Sequence, residues 1–142
     1  MSTHAADGYA THEVMNQATP LTGHNAFTGD KLLTEIARRE KIGWADGLLT
    51  DSGATVASAR VAKLARDANR HLPELKSHDR FGNRIDQIEF HPAWHELMSL
   101  AIGHGTHALS WTAKKPGAHV ARGVLSYLWN QGENGICCPL GM

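Results

Sequence analysis

The chain has 142 residues, of which 42% are apolar and 20% charged, so it is long enough for one compact domain and too apolar to be intrinsically disordered. Fourteen Lys and Arg balance fourteen Asp and Glu, which excludes the strongly basic composition of a dedicated nucleic-acid binder. No apolar run approaches the roughly 18 residues of a membrane span, and residues 1–10 lack the basic and apolar regions of a secretory signal, so we expect a cytoplasmic protein.

The N-terminal segment is predicted to be irregular before the first helix. Residues 1–11 are small and polar and are expected to form a flexible tail. Residues 12–30 carry proline and glycine between isolated apolar residues, which indicates an extended arm packed along a surface. Asp30 is placed to cap a helix that begins at Lys31 and ends at Gly43.

The clearest helical period in the chain follows this first helix. A second helix is predicted from an N-cap at Asp51 or Ser52 to about Asn69. The residues of its predicted buried stripe recur every three or four positions and are mostly small, so a neighbouring helix is expected to pack closely. They are Ala54, Ala57, Val61, Leu64, Ala65 and Ala68.

The pattern changes between residues 70 and 90. Gly82 and Asn83 supply turn residues, and apolar residues then alternate with polar ones, which predicts a small β-hairpin. Pro92 suits the first turn of a third helix, which Gly103 and the residues after it end.

The last part of the chain is predicted to hold one more helix. Residues 104–115 look irregular, a fourth helix runs from Pro116 to Gly132, and residues 136–142 form a loop. The predicted fold is therefore mainly α, with about four helices, one short hairpin and an extended N-terminal arm.

Histidines are the first candidate residues for a metal site. The segment that starts with His95 and Glu96 resembles the start of a metalloprotease motif, but Ser99 stands where the second ligand is required. We favour structural roles, with His91 capping the third helix and His95 on a partly exposed face, over the alternative of a zinc site. The histidines with metal-ligand spacing are His91, His95, His104 and His107.

Paired carboxylates in the hairpin were the second candidates. Asp79 and Asp86 could share acid–base chemistry, but Arg80 and Arg84 flank them, so exposed ion pairs are the favoured interpretation. Neither a phosphate-binding glycine loop nor a serine-hydrolase elbow is present in the sequence.

The remaining candidates are aromatic, basic and thiol side chains. Lys114 and Lys115 are too few for a nucleic-acid groove, and the adjacent Cys137 and Cys138 are interpreted as two reduced thiols, in preference to a reactive or redox pair. Four tryptophans could line a ligand site, although core positions are favoured. They are Trp44, Trp94, Trp111 and Trp129.

Longer strings of sequence carry more information than these single residues. They run in one order along the chain: Thr11–Gln17, His78–Asp86, Glu89–Met98, Pro116–Arg122 and Tyr127–Trp129. With them the chain resembles the N-terminal region of the AidB-like branch of the acyl-CoA dehydrogenase superfamily. Its departures from that pattern are small and lie at Met15, Ala18, Lys41 and Ile42.

The resemblance implies a longer FAD flavoprotein of the oxidoreductase class. Such a protein has an N-terminal helical domain, a central β-domain and a C-terminal helical bundle, and residues 12–142 would form an incomplete version of the first. No catalytic, flavin-binding or metal-binding residue is carried over, because no position here matches one. The resemblance also implies a tetrameric assembly and a link to the DNA alkylation response, with DNA binding by the C-terminal part.

The functional hypothesis is therefore an N-terminal portion that serves packing and oligomer assembly, with either another copy or the remaining domains of a longer relative as partner. On this hypothesis the chain alone is not catalytic and binds neither FAD, membrane nor nucleic acid. An exposed apolar patch is expected near its C-terminal helix. The alternative is a stand-alone interaction module that docks on a full-length relative or on a different partner.

Overall fold

A computed structural model describes residues 15–141, and the predicted tail at residues 1–11 lies outside this range. The described chain is mainly helical with one two-stranded hairpin, as the sequence predicts, although its α-helices number seven rather than about four. The helices are α1 (Lys31–Arg39), α2 (Asp46–Val56), α3 (Ala59–Arg70), α4 (Pro92–Gly103), α5 (Leu109–Thr112), α6 (Ala118–Gly132) and α7 (Asn134–Gly141), and the strands are β1 (Glu74–His78) and β2 (Arg84–Glu89).

Residues 12–14 of the predicted arm lie outside the described range, and its second half lies against α2. The amide of Ala26 donates to the carbonyl of Gly53 at 3.0 Å, and the Asn25 side chain donates to Thr50 O at 2.8 Å. Close approach requires glycine, because a Cβ on Gly53 would stand 2.6 Å from the backbone nitrogen of Phe27. The buried Phe27 ring then joins the core.

The predicted second helix is wrong as a single element. Residues 46–56 and 59–70 form two helices, and Ser58 separates them in an extended conformation with its hydroxyl accepting from the amide of Val61 at 3.2 Å. Asp51 and Ser52 lie inside α2 rather than at its start. The predicted apolar stripe is confirmed at Ala57 and Val61, which are buried, and at Leu64 and Ala68, which pack half-buried against the core. It is wrong at Ala54, which is exposed, whereas Ser52 is buried.

The capping residues predicted for two other helices are confirmed. The Asp30 carboxylate accepts from the amides of Leu32 and Leu33 at 2.8 and 3.1 Å, which begins α1 at Lys31. Nδ1 of His91 accepts from the amide of Ala93 at 3.1 Å and caps α4. Each side chain satisfies an amide that the helix itself leaves without a partner.

Helix α6 lies at the centre of the domain, where it packs against α2, α5 and α7. It begins at Ala118 rather than at Pro116 as predicted. Gly117 precedes it with φ of +76°, a conformation that favours glycine. The largest fully buried side chains include four from α6 and its neighbours: Leu49, Leu125, Leu128 and Trp129.

Two segments predicted to be irregular are helical. Within residues 104–115, α5 forms a single turn, and residues 134–141 form α7 instead of a loop. Ile136, Cys137 and Leu140 recur at helical spacing and are all buried. This apolar spacing is the sequence signal for the helix, but the segment is only eight residues long and contains Pro139, which disfavours a helical prediction.

Candidate functional site

The hairpin carries the candidate functional surface. Both strands are exposed along their whole length, and Leu75 faces Ile88 directly across the antiparallel pair. These two side chains are 63% and 56% exposed, so a cross-strand apolar pair meets water instead of a core. We call the exposed apolar residues of the hairpin and its approach the hairpin apolar surface: Leu72, Leu75, Phe81, Ile85 and Ile88.

The turn that joins the strands is organised by one carboxylate. Asp79 accepts from the side-chain amide of Asn83 at 2.9 Å and from the backbone amides of Asn83 and Phe81 at 2.9 and 2.8 Å. These hydrogen bonds, led by the Asn83 side chain, hold the pKa of Asp79 below its usual value. Gly82 takes φ of +84° in this turn.

The predicted carboxylate pair therefore has two separate structural roles. Asp79 accepts the hydrogen bonds that hold the turn instead of forming the predicted ion pair. Asp86 accepts from Arg84 Nε at 2.7 Å in an exposed ion pair, which confirms the ion-pair interpretation for Asp86. The strand register shifts between Lys76 and His78, and Asp86 lies opposite this shift with φ of +44°. The shift is a β-bulge, which twists the end of the hairpin.

The histidines at the start of α4 are held by local contacts. His91 is committed to its helix cap, and its ring stacks on that of His71 at 4.7 Å between centroids. His95 is exposed, with its ring centroid 5.2 Å from that of Trp94 in an edge-to-face arrangement, and Ser99 donates to the His95 carbonyl at 2.8 Å. These positions confirm the structural interpretation of His91 and the exposure of His95.

The other two histidines lie beyond the end of α4. His104 is largely buried between the carbonyl of Leu100 and the carboxylate of Asp51, and its ring contacts Trp129. His107 is half-buried, and its Nδ1 has no hydrogen-bond partner within residues 15–141. In that same range no three His, Cys, Asp or Glu side chains converge in a geometry for a metal ion.

The four tryptophans do not converge on one site. Trp129 is fully buried, as predicted for a core residue, and Trp94 is half-buried and stacks on Phe90 at 4.3 Å. Trp111 is 71% exposed, so its predicted core position is wrong. Trp44 is half-buried, and its Nε1 donates to the carbonyl of Pro116 at 3.1 Å.

The two thiols differ in exposure. Both are free, with Cys137 buried and Cys138 exposed. Burial, reinforced by the negative charge of Glu133, raises the pKa of the Cys137 thiol to about 11. Cys137 is therefore protonated at neutral pH and serves as a core side chain.

The expected position of the exposed apolar patch requires correction. Five of the eleven exposed large apolar side chains of the described range belong to the hairpin apolar surface, whereas α6, which is the predicted C-terminal helix, contributes Tyr127 alone. The hairpin and its approach, rather than the C-terminal helix, thus carry the largest group of exposed large apolar side chains in the described range. None of the helices within the described range has both the length and the apolar character that a bilayer span requires.

Known proteins share both the sequence and this fold. The chain is 38% identical over 135 residues to Escherichia coli (strain K12) AidB, a protein named for the acyl-CoA dehydrogenases, with 94% of the chain and 25% of that protein covered. It thus spans about a quarter of the length of this curated relative.

Two solved structures have the same fold. Caenorhabditis elegans ACDH-11, solved with C11-CoA, matches 92% of the chain and 23% of its own at a TM-score of 0.74 and 21% identity. Bd2924, solved in its apo form, matches 78% of the chain and 23% of its own at a TM-score of 0.68 and 23% identity.

A profile of the family described as the adaptive response protein AidB N-terminal domain matches residues 16–142. This range includes the hairpin and all seven described helices. The chain belongs to the family of AidB N-terminal domains, within proteins that resemble acyl-CoA dehydrogenases.

Proposed function

We propose that this chain is the packing and assembly portion of an AidB-like flavoprotein and has no catalytic role on its own. The observation that carries the proposal is the hairpin apolar surface. Leu75 and Ile88 are paired across two strands that are exposed throughout. An isolated two-stranded hairpin is at best marginally stable in water, so a hairpin of this kind gains stability when another surface covers it.

The edges of the hairpin support the same interpretation. Two strands alone present two edges, whose unpaired backbone groups are available to a further strand. Charged side chains line the opposite face, where Lys76 pairs with Glu89 across the strands. One face is thus suited to water and the other to an apolar partner, which we propose to be the remaining domains of the parent protein or the same portion of another copy.

FAD belongs, in this proposal, to segments of the parent protein that lie outside this chain. Flavin binding requires an enclosed slot for a large tricyclic ring system, whereas the groove of about 690 Å³ beside α1 is partly open to solvent and is lined by the charged side chains of Arg38, Lys41 and Asp46. This groove therefore supports a flavin site outside the described residues rather than within it. Any DNA contact in an alkylation response is likewise assigned elsewhere, in keeping with the equal numbers of basic and acidic residues.

A chimeric protein tests the proposal. The segment of Escherichia coli AidB that matches this chain is replaced by residues 1–142, and flavin content and assembly size are measured. Leu75→Lys together with Ile88→Lys is expected to break the assembly and lower flavin retention about tenfold, because charges replace covered apolar area. Leu32→Lys, at a 69% exposed position on α1, is the matched control and is expected to change neither.

Three results would contradict the proposal. An unchanged assembly in the hairpin variant would show that the hairpin apolar surface is not covered. Stoichiometric flavin on the isolated chain would show that the cofactor site is here. A chimera that fails to assemble, together with a specific partner retained by the isolated chain through Leu75 and Ile88, would favour the stand-alone interaction module.

A further inference from the structure

A second feature lies apart from the hairpin apolar surface. A groove of about 690 Å³ lies between the end of the arm, one side of α1 and the start of α2. Small-molecule sites commonly have volumes of about 300 to 1,000 Å³. The groove therefore has room for a small ligand, and its chemistry follows from the side chains that line it.

One wall of the groove is a fixed aromatic ring. Trp44 is half-buried, and the hydrogen bond from its Nε1 to the Pro116 carbonyl holds the indole at 3.1 Å. Lys115 Nζ lies 5.2 Å from the centre of the ring. Because its polar hydrogen is already used, Trp44 can offer a ligand only the flat apolar surface that Lys115 leaves uncovered, which suits a planar ring.

Two cationic side chains line the groove, and only one of them is already engaged in an ion pair. Arg38 is engaged by Glu35 through two hydrogen bonds of 2.6 and 3.0 Å. Lys41 forms no ion pair within residues 15–141, although it lines the same groove as the Asp46 carboxylate. The uncommitted ammonium of Lys41 is therefore the group best placed to meet an anion.

The backbone of Lys41 gives a second reason to single it out. Its amide donates to Arg38 O, and the next amide, of Ile42, donates to Ala37 O, which closes α1 with a Schellman motif. In this motif Lys41 takes φ of +56°, a position that favours glycine. A lysine here is costly for stability, and a role in binding would explain its presence.

Hydroxyl groups complete the lining. Thr28 and Thr50 are exposed and lie on the arm and on α2, while the Thr34 hydroxyl is already used by the carbonyls of Asp30 and Lys31. The groove thus combines a flat aromatic wall, a free cation and two free hydroxyls within the described range. A planar ring that bears a sugar and a phosphate has the complementary groups.

We propose that this groove binds an aromatic phosphate of the nucleoside monophosphate class. The ring lies against Trp44, the phosphate faces Lys41 with Arg38 behind it, and the hydroxyls of Thr28 and Thr50 contact the polar middle of the ligand. This proposal does not depend on the packing role of the hairpin.

The test is a titration of the ¹⁵N-labelled chain with adenosine 5′-monophosphate, adenosine and inorganic phosphate, followed by NMR. Adenosine monophosphate is expected to shift the indole N–H signal of Trp44 but not that of the buried Trp129. Its dissociation constant is expected at about 1 mM or below, and at least roughly tenfold below those of adenosine and phosphate, because only the nucleotide satisfies both the ring wall and the cation.

Variants at Lys41 separate binding from folding. Lys41→Gln is expected to weaken nucleotide binding about tenfold, whereas Lys31→Gln, at the opposite end of α1 and outside the groove, is expected to change it less than about twofold. Lys41→Gly is expected to weaken binding equally while it raises the unfolding temperature, because glycine adopts this backbone conformation without strain.

Equal affinity for adenosine and its monophosphate, or unchanged affinity in both Lys41 variants, would overturn the proposal. So would a Trp44 signal that does not move. Binding of inorganic phosphate as tight as that of the nucleotide would show that the groove is a simple anion site and that the nucleotide's aromatic ring does not contribute to binding.

Discussion

His104 and Asp51 are 53 positions apart in sequence and connect the end of α4 with α2, with Nε2 of the histidine 3.1 Å from the carboxylate. Nδ1 of the same ring lies 2.9 Å from the carbonyl of Leu100. Both neighbours are hydrogen-bond acceptors, so each ring nitrogen of His104 faces an oxygen of another residue. The contact therefore ties the end of α4 to α2 beside the buried Trp129.

A double-mutant cycle measures this contact. Asp51→Asn is expected to cost about 0 to 1 kcal/mol of unfolding free energy, because the carboxylate is 75% exposed and an exposed pair is worth little. His104→Ala is expected to cost more, about 1 to 3 kcal/mol, since it also removes the ring packed on Trp129. Urea unfolding of the two single variants and the double variant gives the coupling energy, and a coupling above about 2 kcal/mol would contradict the surface estimate.

Two glycines in α2 provide a matched pair. Gly53→Ala is expected to lower the unfolding free energy by about 1 to 3 kcal/mol, because a Cβ would stand 2.6 Å from the Phe27 amide nitrogen. Gly47→Ala meets no atom within 4 Å and is expected to raise it by up to about 1 kcal/mol through helix propensity. Chemical denaturation measures both. Equal effects would mean that the arm does not rest on Gly53.

The parts of the fold that sequence reasoning predicted are those with local causes. The caps at Asp30 and His91 depend on a side chain two or three residues from the amide it binds. The hairpin depends on turn residues and alternation, and the arm on proline and glycine. Each of these signals lies within a few residues of the element it sets.

The missed elements depend on distant contacts. The break at Ser58 interrupts a hydrophobic period that continues on both sides of it in the sequence. The buried Gly53 packs against the arm rather than against another helix. Helix α7 is stabilised by Arg122 and by its buried apolar face, which single-sequence periodicity does not reveal over eight residues. Family resemblance located the domain, but only the structure shows that Leu75 and Ile88 are left exposed.

Acid is expected to loosen the hairpin turn before it unfolds the helices. Hydrogen bonds hold the pKa of Asp79 below the usual value of 3.8, so its stabilisation is complete above pH 3.8 and is lost as the pH falls through the lowered pKa. Amide exchange of Phe81 and Asn83 should accelerate in that acid range. In Asp79→Ala these amides should exchange fast already at neutral pH, and an unchanged rate would show that the carboxylate does not hold the turn.

The two adjacent thiols are expected to react very differently. Because burial raises the pKa of Cys137 to about 11, its thiolate fraction at pH 8 is about one in a thousand. Iodoacetamide should therefore label the exposed Cys138 first in the folded chain and both thiols in urea. Cys138→Ser should remain nearly unlabelled under native conditions, whereas Cys137→Ser should label like the parent chain. Fast native labelling of Cys138→Ser would show that α7 opens.

Arg122 is expected to hold α7 onto the domain. Its guanidinium donates to Leu140 O at 3.1 Å and Gly141 O at 3.2 Å, carbonyls of the last turn of α7, and to Thr106 O at 3.1 Å. A cation at this end also complements the negative end of the helix dipole.

Arg122→Ala should therefore lower the unfolding free energy by about 1 to 3 kcal/mol and accelerate amide exchange within α7. Arg122→Lys should recover only part of this loss, because one ammonium cannot span three carbonyls as the planar guanidinium does. Arg39→Ala, at an exposed position at the end of α1, is the control and should change stability by less than about 0.5 kcal/mol. If the lysine variant matched the parent chain, charge alone rather than the fork of hydrogen bonds would hold α7 in place.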